Sequence, residues 1–213
     1  MNFDTLIFVL EMIGTVAFAV SGVLVAKEKN MDIFGACVLG GATAVGGGLI
    51  RDLILGYIPP AMFRDPIYVL VSCIVSLIAF VWLYRTEGNK SKEMLLRLNG
   101  ILNWADSIGL AAFVVVGCRT AIYKGYADYM FLCAFVGVLT GIGGGILRDI
   151  FAGQMPLIMR KRIYGIAAIL GACIYIALYQ WGVNTIAATV ISMILIIVIR
   201  KAAILFCWNL PKL

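Results

Sequence analysis

Thr43-Ala44-Val45-Gly46-Gly47-Gly48-Leu49-Ile50-Arg51-Asp52, followed by Gly56 and Pro59, returns later in the chain as Thr140-Gly141-Ile142-Gly143-Gly144-Gly145-Ile146-Leu147-Arg148-Asp149, followed by Gly153 and Pro156. The threonine, the three glycines, the Arg-Asp pair and the trailing glycine and proline all match at one offset of 97 residues. Upstream, Glu11, Gly14, Ala17, Phe18 and Gly22 match Asp106, Gly109, Ala112, Phe113 and Gly117 at an offset of 95. A duplication explains both registers, with the two-residue difference absorbed in a loop.

Composition places the duplicated units in a membrane. Of 213 residues 63% are apolar and only 13% charged, with mean hydropathy +1.04, against roughly 25% charged residues in soluble domains. A spanning helix needs about 20 mostly apolar residues. Apolar segments run over Leu6–Ala26, Ile33–Leu55, Ile67–Tyr84, Ile101–Val116, Tyr129–Phe151, Ile163–Tyr179 and Val183–Ile199, which predicts an all-α membrane protein with seven transmembrane helices. The fourth segment is the shortest and is diluted by Asp106. The first lacks the basic start of a secretory signal and reads as a retained helix. Each unit holds three spans, and an odd number inserts the second copy in the opposite sense. The expected organisation is 1–90 as the first three-helix repeat, 91–181 as the second, inverted one, and 182–213 as a seventh helix with a short cytoplasmic tail. The unpaired helix is assigned to packing or oligomerisation.

The basic residues support this topology independently. Lys27, Lys29, Arg85, Lys90, Lys92, Arg97, Arg160, Lys161, Arg162, Arg200, Lys201 and Lys212 fall on one side, and Arg64, Arg119 and Lys124 on the other. The richer side is cytoplasmic by the positive-inside rule, so the N-terminus is expected outside and the C-terminus inside. Arg51 and Arg148 remain within apolar segments.

The chain contains no histidine, which removes His-based relays, triads and His metal ligation. Cys37, Cys73, Cys118, Cys133, Cys173 and Cys207 are scattered through apolar stretches without a C-x-x-C pair, as packing residues are. No catalytic residue, metal site or cofactor is expected, and the excess of basic residues needs no nucleic acid.

Three consecutive glycines in mid-span weaken a helix by about 1 kcal/mol each relative to alanine. They predict kinks in the second and fifth spans, facing each other near the midplane, where inverted-repeat proteins place their substrate or permeation site. The competing reading is that the glycines admit close helix approach. Arg51, Asp52, Arg148 and Asp149 either line the pathway or form buried ion pairs, because each would cost about 2.5–3.5 kcal/mol facing lipid. Successive residues point about 100° apart, so each Arg and Asp is expected to find partners on other helices rather than in one another. Glu11, Gly14, Phe18 and Gly22 share one helical face, as do Asp106, Gly109, Phe113 and Gly117. Glu11 and Asp106 are thus candidate vestibule acids, or interfacial acids bonded to helix ends. Thr43 and Thr140 are candidates beside them, with Ser21 and Ser107, although hydroxyls in spans often bond back to their own helix. Trp82, Trp104, Trp181 and Trp208 fall near span ends as interfacial anchors.

On these residues the sequence resembles the trimeric intracellular cation (TRIC) channel family, in its bacterial and archaeal branch, whose domain is also described as a glycine-transporter-type domain. The resemblance runs from Gly14-Thr15-Val16-Ala17-Phe18 through both Gly-Gly-Gly-x-x-Arg-Asp elements to the last helix. It implies a homotrimer, one hourglass pore per protomer around the glycine kinks, and conduction of monovalent cations, chiefly potassium, with sodium as the other candidate ion. Gly46, Gly47, Gly48, Gly143, Gly144 and Gly145 match the family's kink motifs, and Arg51, Asp52, Arg148 and Asp149 the charges after them. Animal members carry a lysine-containing lipid-binding motif on the fourth helix; none lies between Ile101 and Val116, and a prokaryotic inner membrane is the expected location. The alternative is a carrier for a small zwitterion such as glycine, held by paired Arg and Asp. A retinal-type receptor is disfavoured, because Lys201 sits at the end of the last span.

Overall fold

The computed structural model describes residues 3–86, 92–160, 163–206 and 208, with side chains over 5–86, 96–159, 163–206 and 208. Lys90, Lys161, Arg162, Cys207 and Lys212 lie outside these residues, as do the boundary drawn between 90 and 91 and the side chains of Lys92 and Arg160. Every regular element described is helical: α1 (Phe3–Glu28), α2 (Ile33–Ile54), the single turn α3 (Ala61–Arg64), α4 (Ile67–Arg85), α5 (Lys92–Ala121), α6 (Met130–Phe151), the single turn α7 (Leu157–Arg160), α8 (Ile163–Gln180) and α9 (Thr185–Leu205). All but α3 and α7 are long and apolar enough to cross a membrane, which makes seven spans among the described residues. The architecture is two inverted three-helix repeats, α1-α2-α4 and α5-α6-α8, followed by α9.

The fourth span departs from its expected length. Instead of Ile101–Val116, α5 runs over 30 residues and passes into a wide π turn, Ile122–Tyr126, and it is the most buried of the seven spans. Hydropathy undercounts such a helix, because its polar residues Asn99, Asn103 and Asp106 border a cavity.

Glycines set how the repeats dock. A Cβ on Gly22 would lie 2.6 Å from the Gly40 Cα, bringing α1 against α2, and one on Gly117 would lie 2.8 Å from the Gly137 Cα, bringing α5 against α6. Between the units, a Cβ on Gly14 would meet the Phe113 ring at 2.9 Å and one on Gly109 would meet the Phe18 ring at 2.2 Å. The closest approach is where α2 crosses α6: Gly47 faces the Thr140 carbonyl oxygen and Gly144 the Thr43 carbonyl oxygen, each at 2.1 Å from the would-be Cβ. Helices meet this closely where small residues expose backbone to backbone.

The described cysteines are all free, Cys118 and Cys133 buried. Trp82, Trp104, Trp181 and Trp208 are all exposed; Trp82, Trp181 and Trp208 lie at or near helix ends, whereas Trp104 falls within α5, because that helix begins nine residues before the expected start of the span.

Candidate functional site

Both Gly-Gly-Gly-x-x-Arg-Asp elements end in the same device. Leu55 and Ala152 close α2 and α6, and Gly56 and Gly153 follow at φ 68° and 64°, a left-handed turn that glycine adopts without Cβ strain. The chain then folds back into α3 or α7. Asp52 accepts the Ala61 N–H at 2.7 Å, and Asp149 accepts the Leu157 N–H at 2.7 Å. Each aspartate thereby ties the end of its helix to the following turn and leaves its other oxygen for an arginine.

In the first repeat Arg51 Nε donates to Asp52 Oδ1 at 2.8 Å, and its Nη1 donates to Glu11 of α1 at 2.9 Å. The second Glu11 oxygen accepts from the Tyr68 hydroxyl of α4 at 2.5 Å. Glu11, Arg51, Asp52 and Tyr68 line a cavity of about 30 Å³ with Thr15, Gly48 and Phe113. That volume holds a couple of waters.

In the second repeat Arg148 Nε donates to Asp149 Oδ1 at 2.9 Å, and Nη1 donates both to Asp106 Oδ1 of α5 at 2.7 Å and to the Ser21 hydroxyl of α1 at 2.5 Å. Gln154 adds a bond to Asp149 at 3.0 Å. Asp106 and Arg148 border a larger cavity of about 380 Å³, with Glu28, Asn99 and Asn103. Arg148 and Asp149 are fully buried.

The two cavities lie on opposite sides of one wall. On α5, Asp106 lines one and Phe113 the other, and seven residues at 1.5 Å each separate them by about 10 Å along the helix. The wall contains the Phe18–Phe113 contact, 5.3 Å between ring centroids, beside the α2–α6 crossing.

Three expectations are corrected. Arg51 and Asp52 do bond each other, as do Arg148 and Asp149: the long arginine stem curls back to an aspartate fixed by a backbone amide, and only the outer guanidinium nitrogen reaches the neighbouring helix. The glycines do not break α2 or α6, which stay hydrogen-bonded as helix through 46–48 and 143–145; at the crossing it is their lack of Cβ that admits the facing backbone. And α9 is not remote from the charged residues. Its Arg200, counted from the sequence as a flanking cytoplasmic charge, is buried and donates to Asp106 Oδ2 at 3.2 Å and to Ser107 at 3.3 Å.

The remaining candidates sit as follows. Glu11 and Asp106 each border a cavity. Thr43 and Thr140 are fully buried at the crossing and bond back to Leu39 and Val136, each at 2.6 Å, and Ser107 bonds back to Asn103. Tyr68, Tyr164 and Arg200 were not singled out from the sequence. Ser192, Ile196 and Arg200 at four-residue intervals mark the buried face of α9, the signal that could have found the last of these.

Outside the spans, the exposed end of the first repeat holds Tyr57, with Lys124 Nζ 3.3 Å and Arg64 Cζ 3.4 Å from its ring centre. Lys124 first, then Arg64, holds this phenol below its ordinary value by stabilising the phenolate.

These features define a class: a membrane protein of two inverted three-helix repeats in which paired arginine–carboxylate clusters flank a glycine crossing. The glycine transporter family model matches residues 8–84 and again 103–180, one match in each repeat, and the chain belongs to that family, within its prokaryotic TRIC branch. The UPF0126 inner membrane protein YadS of Escherichia coli K12 is 39% identical over 207 residues, 97% of this chain and 95% of its own. The crystal structure of the TRIC trimeric intracellular cation channel orthologue from Rhodobacter sphaeroides is 35% identical with a TM-score of 0.85, covering 96% of this chain and all of the other. A structure solved to explain conductance through TRIC cation channels is 34% identical with a TM-score of 0.82, covering 100% of this chain and 98% of the other.

Proposed function

We propose that this protein is a monovalent cation channel, conducting chiefly potassium, that assembles as a homotrimer in a prokaryotic inner membrane with one pathway through each protomer. The observation that carries this reading is the pair of carboxylate-bordered cavities on opposite sides of the α2–α6 crossing. Likeness to structures described as TRIC cation channels supports it. The organisation is 1–90, 91–181 and 182–213, with the N-terminus outside and the C-terminus in the cytoplasm.

In this reading Glu11 and Asp106 concentrate cations at the two mouths, because a low-dielectric wall focuses the field of a carboxylate into the cavity beside it. Gly46–Gly48 and Gly143–Gly145 form the constriction: closed, the α2 and α6 backbones touch there, and a small separation of the two helices joins the cavities. Arg51, Asp52, Arg148 and Asp149 border the constriction and hold the helix ends through their mutual bonds. No cofactor takes part, and the permeating species is the hydrated or partly hydrated ion.

A glycine carrier is less well served. Arg51 and Arg148 each already face two carboxylates at 2.7–2.9 Å, so their charge is balanced before any substrate carboxylate arrives. The test is recording from purified protein in planar bilayers under a potassium chloride gradient, with labelled glycine uptake into proteoliposomes alongside. A reversal potential near that of potassium, together with no saturable glycine uptake, is expected. Saturable uptake without single-channel current would replace the channel by the carrier.

A further inference from the structure

The two repeats carry the same acid–arginine pair but complete it differently. Glu11 gives one oxygen to Arg51 and the other to the Tyr68 hydroxyl, the second residue of α4. Asp106 gives one oxygen to Arg148. The tyrosine at the matching place, Tyr164, is the second residue of α8 and is buried, but its hydroxyl has no hydrogen-bond partner among the described residues. Arg200 of α9 takes the bond instead: its guanidinium lies 4.4 Å from the Tyr164 ring centre and donates to the second Asp106 oxygen. A neutral donor in one repeat is thus replaced by a cation in the other, supplied by the helix that has no repeat partner.

The formal charges of the clusters therefore differ. Arg51 stands against Glu11 and Asp52, leaving −1, whereas Arg148 and Arg200 stand against Asp106 and Asp149, leaving zero. Arg200 does not border the Asp106 cavity; it acts on that cavity through Asp106, from behind the wall. The exposed charges cancel in sign at each end, Arg64 against Asp65 and Glu28, which also lines the Asp106 cavity, against Lys29, and they are solvated and screened more than the buried clusters.

We propose that Arg200 makes the pathway electrically asymmetric: by neutralising the carboxylates at the Asp106 cavity it leaves the Glu11 cavity as the stronger cation-concentrating mouth, so that current rectifies. Arg200 is a positioning and charge-setting residue, not one that touches the ion. The inference rests on the channel reading above.

Single-channel current–voltage curves in symmetric potassium chloride test it, comparing the wild type with Arg200→Gln and Arg200→Lys. Glutamine places its amide nitrogen where Arg200 Nε sits, so it can keep the bond to Ser107, but it gives up the Nη2 bond to Asp106 and removes the charge; lysine keeps the charge. The wild type is expected to rectify at about 0.1 M salt and to lose the asymmetry at about 1 M, where the Debye length falls from roughly 10 Å to 3 Å. Arg200→Gln is expected to reduce the ratio of the larger to the smaller current about twofold at the lower salt, the scale of a modest change in local cation concentration, and Arg200→Lys to retain it. A wild-type curve that is symmetric at low salt overturns the proposal even if Arg200→Gln does not fold. So does a glutamine variant that rectifies like the wild type, or a lysine variant that behaves like glutamine. Absence of current from the wild type would instead remove the channel reading, and this inference with it.

Discussion

Replacing Gly47 with alanine separates the two meanings of the glycine run. If glycine is there to weaken the helix, alanine should stabilise α2 by about 1 kcal/mol. If it is there to admit the facing backbone, alanine places a Cβ 2.1 Å from the Thr140 carbonyl oxygen, where contacts below 3.0 Å essentially never occur. The obstacle is backbone, so no side chain can swing aside, and α2 and α6 must part by about 1 Å. Overpacking of this kind costs about 1–3 kcal/mol, which meets or exceeds the propensity gain. Gly48 is the internal control: its would-be Cβ finds only Arg51 Nη2, at 3.9 Å, so Gly48→Ala should show the propensity gain undisturbed. Gly47→Ala and Gly144→Ala should each melt several degrees below Gly48→Ala in detergent. The double variant should cost less than the sum, because both residues meet at one crossing that the first substitution has already opened. Thermal unfolding followed by loss of the folded peak on size exclusion reads all four. Gly47→Ala melting as high as Gly48→Ala would refute the close-approach argument and return the glycines to a role in bending the helix.

Two further outcomes are expected. Asp149→Asn removes a carboxylate that is fully buried and bonded to Arg148, Gln154 and the Leu157 amide, so it should lower stability by about 3–5 kcal/mol, the cost of leaving a buried charge without its partner, while potassium-over-chloride selectivity of any folded fraction stays unchanged. A selectivity change at wild-type stability would place Asp149 in the pathway. Lys124→Gln should raise the Tyr57 titration back toward the ordinary tyrosine value of about 10, measured as the ultraviolet difference between each protein and its Tyr57→Phe partner. The sign follows from a phenol held low in the folded state: the phenolate's contribution to stability is present above the unfolded value and is lost as pH falls through the folded one.

The duplication, the seven spans and their inversion were legible because each is written as pattern: matched registers, apolar length and an odd number of crossings. The roles of the matched residues were less so. That Arg51 and Asp52 bond each other depends on where the backbone returns after Gly56, and no spacing within the helix contains that information. The glycine run admits two readings in sequence, a weakened helix or a close approach, and the choice between them at the α2–α6 crossing is set by the facing Thr140 and Thr43 carbonyls, 97 residues apart in sequence. Arg200 was the hardest case for a related reason. Comparing the two copies finds what they share, and a residue on the helix outside the repeat has no counterpart to be compared with. Yet a pathway built from two identical halves in opposite orientation is electrically symmetric by construction, so any directional property must come from the positions where the halves differ or from outside them. Here the two coincide: Asp106, one methylene shorter than Glu11, turns from Tyr164 and meets the one buried arginine that α9 supplies.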